Sequence, residues 1–123
     1  MINAIKRPGI LLYSRDLKLS QLRARMLEAA GNEVSFTINL DMPWTILDSD
    51  TINLVVLCNT LETKHCREMV ADIMAFHPFV KVLILHDGSS SCSKGTDAAM
   101  FDITEGTDAF LRTIDKLVAT TNN

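Results

Sequence analysis

A chain of 123 residues has room for one domain, whose usual size is about 100–150 residues. With 47% hydrophobic and 22% charged residues it has the composition of a protein that folds around a core, which excludes a disordered chain. Twelve Lys and Arg against fifteen Asp and Glu leave a net charge of −3, which argues against a general nucleic-acid-binding face.

Three cysteines, Cys58, Cys66 and Cys92, cannot all pair within one chain, and none belongs to a CxxC pair. Reduced thiols in a cytoplasmic protein are the simplest account, with no zinc knuckle expected from these spacings. The apolar runs Ile10 to Tyr13 and Leu54 to Cys58 are far shorter than the roughly 20 residues that cross a bilayer. Neither a signal peptide nor a membrane contact is expected.

Along the chain, residues 1–8 read as a short solvated lead-in. Gly9 to Tyr13 is continuously apolar, the pattern of a strand buried on both faces. Asp16 can cap a helix whose apolar stripe is Leu19, Leu22, Met26 and Ala29 or Ala30, and Gly31 stops it. Glu33 to Ile38 alternates weakly, as a second strand does. Asp41 and Pro43 then introduce a short helix over Met42 to Leu47, ended by Asp48, Ser49 and Asp50.

Ile52 to Cys58 is the most apolar strand of the chain. Thr63 offers a cap for a helix with Cys66, Met69, Val70, Ile73 and Met74 inward, closed at His77-Pro78 because the residue before proline avoids the helical region. Val80 to Leu85 is a further buried strand, and the segment from Asp87 to Gly95 is a polar loop. Ala99 to Ile103 makes a last strand. Thr107 then caps a helix carrying Phe110, Leu111, Ile114, Leu117 and Val118. Strands alternating with amphipathic helices predict a parallel sheet covered on both sides.

Over about residues 9–119 the chain resembles a bacterial response-regulator receiver domain. The segment ILLYSRDLKLSQLRARMLEAAGNEV has the register of that family's opening strand and first helix, and LVVLCNTL matches its third strand. The resemblance implies a single domain over 1–123, a flavodoxin-like doubly wound sheet of five parallel strands in order 2-1-3-4-5. It also implies a site beyond the carboxyl ends of the strands. The stretch from His86 to Ala99 leaves little room for the family's fourth helix, so that helix is expected to be shortened or missing.

The family's chemistry does not carry over. Its magnesium-binding acidic pair falls on Ser14 and Arg15, and its phosphoryl-accepting aspartate falls on Cys58. Its strand-four hydroxyl residue falls on His86 and its strand-five lysine near Thr104. A guanidinium repels magnesium, so neither metal nor cofactor is expected. The resemblance therefore implies a degenerate receiver that signals by protein–protein contact, with a protein partner or a second copy of the chain. The other reading is a small flavodoxin-like enzyme or ligand-binding protein that uses Cys58 and His86, since an imidazolium beside a thiol can activate it.

Other residues divide between packing and function. Cys58 and Cys92 are a candidate redox pair only if their Cα atoms come within about 7 Å. The Gly88–Gly95 loop with Lys94 is an anion cradle or, more simply, a polar connector. Trp44 is a packing residue or an aromatic anchor. His65 and His77 are expected at the surface, and Met26, Met69 and Met74 in the core. Phe110 and Leu117, seven residues apart on the last helix, are the candidate partner surface.

Overall fold

A strand with water on neither face must be apolar at every position, and the two central strands meet that demand. The computed structural model describes residues 9–39, 42–49, 52–88 and 98–119. In it β1 (Gly9–Tyr13) and β3 (Leu54–Leu57) are buried along their whole lengths. They pair in parallel with Ile10 opposite Leu54 and Tyr13 opposite Leu57. β2 (Glu33–Thr37) flanks β1, while β4 (Lys81–His86) and β5 (Ala99–Asp102) extend the other side. The order is β2-β1-β3-β4-β5 and every pairing is parallel, so the architecture is as expected.

Alternation along the strands divides the core in two. Ile10, Leu12, Leu54, Val56, Leu83, Leu85 and Phe101 face α1 (Leu17–Ala29) and α4 (Thr107–Ala119). Leu11, Tyr13, Val55, Leu57, Val82 and Ile84 face α2 (Met42–Ser49) and α3 (Thr63–Phe76). Beneath the sheet, Asn53 joins three strands. Its side chain accepts from the Gly9 N–H at 2.9 Å, and its own N–H reaches the Gly9 carbonyl at 2.8 Å. Its carbonyl accepts from Lys81 at 3.0 Å. Between β4 and β5 no helix occurs among the described residues. The lead-in, Asp41, Asp50, Cys92, Lys94 and all but the first residues of the polar loop lie outside them.

Several local expectations need correction. The buried stripe of α1 is Ser20, Ala24 and Leu27, whereas Leu22 is 56% exposed, Ala29 and Ala30 are exposed, and Met26 is only partly buried. Ser20 is held on this face by its hydroxyl, which donates to Ser14 Oγ at 2.8 Å. Asp16 does cap α1, accepting from the Leu19 N–H at 3.1 Å, and Gly31 follows its end at φ 102°, a conformation that favours glycine. α2 continues through Ser49 instead of ending at Leu47.

Thr63 is the first residue of α3, and the cap position belongs to Glu62 without a side-chain bond. Met74 lies outside the core. Thr107 is likewise the first residue of α4, and β5 ends at Asp102. The inner line of α4 is Phe110, Ile114 and Val118, spaced by four, with Leu111 and Leu117 half-buried beside it. Phe110 leans on Phe101 with ring centres 5.7 Å apart. It is core, so Phe110 and Leu117 do not form an exposed pair.

Val56→Asp places an unpaired charge between the layers and is expected to destabilise the fold by roughly 4 kcal/mol or more. Leu22→Glu is expected to change stability by less than about 0.5 kcal/mol, because its site faces water. Chemical denaturation of both variants checks the pair. A destabilised Leu22→Glu would restore the stripe expected from sequence.

Candidate functional site

The carboxyl ends of β1 and β3 lie side by side, and the loops leaving them are laced together. The Cys58 N–H donates to the Tyr13 carbonyl at 3.0 Å, and the Arg15 N–H donates to Thr60 Oγ1 at 2.9 Å. Ser14 is fully buried. Its Oγ accepts from the Asp16 N–H at 2.9 Å and from the Ser20 hydroxyl at 2.8 Å, fixing the first turn of α1 against the sheet. Asp16 provides the carboxylate nearest in sequence to this rim, and it is engaged in capping α1. Arg15 is exposed.

Cys58 is 2% exposed and is a free thiol. Burial pushes its pKa up, and the charge and hydrogen bonding of Arg23 oppose this only in part. Arg23 comes from α1, one residue from the buried Ala24. Its Nη2 donates to Asn59 Oδ1 at 3.3 Å, while its Nη1 is buried with no hydrogen-bond acceptor. The cation beside the cysteine is therefore an arginine of the first helix.

His86 ends β4 opposite Asp102, the last residue of β5. Its Nδ1 accepts from the Gly88 N–H at 3.1 Å. Asp102 accepts from the Thr104 N–H at 2.9 Å and the Thr104 hydroxyl at 2.7 Å. These two bonds hold its carboxyl below the usual carboxylate range, with a smaller contribution from His86. His86 thus acts on Asp102, and the charge that acts on Cys58 is that of Arg23. Thr104 lies in the short 3-10 turn Ile103–Glu105 beyond the strand, as a partner of Asp102.

Two aromatic pairs close the opposite layer. Tyr13 Oη and His65 Nε2 are 2.9 Å apart with the rings edge to face, so His65 is not a simple surface residue. Trp44 stacks on His77 at 6.4 Å and packs against the core, which is the packing role. Among the described residues no group of three or more His, Cys, Asp or Glu side chains is placed to hold a metal ion. No helix there is long and apolar enough to cross a membrane.

Arg23, Ser20 and Asn59 were not legible as site residues. One signal was present: Ser20, Arg23, Ala24 and Leu27 recur at helical spacing, which sets a long cation on the buried stripe.

No protein-family model matches the chain, and no curated protein does. Solved structures do. The signal receiver domain of an HD domain-containing protein from Pseudomonas fluorescens superposes with a TM-score of 0.76 at 14% identity, covering 98% of this chain and 93% of that one. A response regulator from Thermotoga maritima gives 0.77 at 17% identity, with 92% and 98% covered. An orphan response regulator of H. pylori gives 0.74 at 19% identity, with 90% and 96% covered. At these identities the likeness shows the fold, over 90–98% of this chain.

A buried thiol with a raised pKa is a poor nucleophile at neutral pH. Its neutral form favours the folded state below the ordinary thiol pKa, and that contribution is lost as pH rises through the folded-state value. Cys58 is therefore expected to resist iodoacetamide at pH 7 until the protein unfolds. Rapid, selective labelling of Cys58 in the folded protein, read by peptide mass, would reverse this assignment.

Proposed function

We propose that the chain is a receiver-like signalling module that works without phosphorylation, through contact with a protein partner in a bacterial cytoplasm. A second copy of the chain is the other partner this reading admits. The fold supports the signalling part. The observation that carries the rest is the polar set at the strand ends: Ser14, Arg15, Cys58 and His86, with the nearby Asp16 engaged as a helix cap.

Phosphoryl transfer to a receiver needs a carboxylate as acceptor and further carboxylates to hold magnesium, a hard cation that binds oxygen. Here a buried neutral thiol stands at the acceptor position and a hydroxyl and a guanidinium stand at the metal positions. The hydroxyl of Ser14 is consumed by Asp16 and Ser20. On this reading the module is not an enzyme. Its shape is set by folding and adjusted by what binds it.

Burial removes Phe110 from the contact surface. Leu117 remains at the margin of an open cleft that also includes Met74, Val82 and Ala99, beside the edge where the receiver fold would carry its fourth helix.

Incubation with magnesium and acetyl phosphate is expected to leave the intact mass unchanged, and magnesium with beryllofluoride is expected to leave the amide spectrum unchanged. A phosphoryl adduct, or magnesium-dependent shifts centred on residues 14, 15 and 58, would overturn the proposal.

A further inference from the structure

Next to the strand-end rim lies a cavity of about 120 Å³, open to solvent on one side. Arg23 and Met26 of α1, Leu85 of β4, Phe101 of β5, Ile103, and Gly106, Thr107 and Phe110 at the start of α4 enclose it. Its walls are apolar except where Arg23 and the first turn of α4 meet it. We propose that this cavity binds a small organic anion: a carboxylate carried on an apolar body about the size of a benzene ring.

Three observations converge on that chemistry. The first is the guanidinium. Arg23 lines the cavity, is partly buried and uses Nη2 on Asn59, while Nη1 is buried beside the cavity with no acceptor, so a small turn of the side chain brings it to a ligand there. A buried donor without a partner is costly, most of all on a charged group, and a carboxylate oxygen would satisfy it.

The second is local charge. The side chain beside Arg23 is the thiol of Cys58, which burial keeps neutral, so no thiolate cancels the cation. Glu105 and Asp108, the acidic residues nearest the start of α4, are exposed and do not line the cavity. The beginning of α4, a helix of 13 residues, adds the positive end of its dipole to the same space.

The third is size and surface. An apolar cavity of about 150 Å³ takes up benzene, and this smaller volume, being open on one side, suits a ring or a branched chain that extends into the opening. A bare phosphate would meet Arg23 and the first turn of α4 but would leave the apolar faces of Met26, Leu85, Phe101 and Phe110 uncovered. The inference stands apart from the signalling role, because it rests on no receiver chemistry and on neither Cys58 nor His86 as a reacting group.

Sodium benzoate, its neutral isostere benzamide, and inorganic phosphate test the proposal on the whole chain, with backbone amide shifts as the readout. Benzoate is expected to give saturable shifts at Met26, Leu85, Phe101, Ile103 and Gly106, with the other two probes weaker by about tenfold or more. Arg23→Gln, with its folding checked by the melting temperature, is expected to lose benzoate affinity by a similar factor. Absence of saturable shifts at millimolar benzoate, equal binding of benzamide or phosphate, or undiminished binding by folded Arg23→Gln would each overturn the proposal. Should Arg23→Gln fail to fold, the comparison of the three probes on the native chain decides.

Discussion

Two-sided burial of β1 and β3 is the constraint from which the rest follows. Along these strands every side chain from Ile10 to Tyr13 and from Leu54 to Leu57 is sealed from water, and the one polar side-chain group among them, the Tyr13 hydroxyl, is met by His65. Helices must then cover both faces, and parallel crossovers return the chain to the same end of the sheet each time. Polar chemistry is displaced to the strand ends. Ser14 and Cys58 are the first residues beyond the two central strands, and both are still buried. The rim therefore inherits the geometry of the core, with hydroxyl, thiol and guanidinium groups held by the same packing that holds the strands.

On the reading proposed above, that rim inverts the electrostatics of a receiver. Where the family resemblance places carboxylates that gather a metal, this chain has a hydroxyl, an exposed arginine and a neutral thiol, with a second arginine reaching in from α1. Arg23 touches Asn59 after β3 and borders the cavity beside α4, so it bridges the rim to the layer formed by α1 and α4. His86 and Asp102 stand opposite each other at the ends of β4 and β5, and the Thr104 bonds hold the Asp102 carboxyl below its ordinary range.

The strands were legible because burial on both faces leaves a one-dimensional trace, an unbroken apolar run, and their parallel order followed from the alternation with helices. Periodicity was a poorer guide to α1. Leucine is more hydrophobic than serine or alanine, so the stripe through Leu22 looked like the core, but the bond from Ser20 to Ser14 turns the face with Ser20, Ala24 and Leu27 inward. The last helix was misdivided for a related reason: with five apolar residues it offers two lines, and only packing against Phe101 chooses Phe110, Ile114 and Val118. Ser14 and Cys58 follow their strands and His86 ends its own, close to the strand ends read from the apolar runs. The role of Arg23 was not legible, because it depends on how far a long side chain from a neighbouring element extends, which spacing within one segment does not encode.

The division of the interior by the sheet has a consequence for how the molecule responds to change. One set of side chains packs only against α1 and α4, the other against α2 and α3, and the backbone ladders between them are saturated with hydrogen bonds. Residues such as Ile114 and Ile73 share no neighbours across this wall. Energetic effects in the two compartments should then sum almost independently, as they do for distant sites without common partners. Among the described residues, two side-chain links pass around the wall: Arg15 to Thr60 and Arg23 to Asn59. Both sit at the carboxyl end of the sheet. An event on one side of this domain can be felt on the other chiefly by passing through that rim.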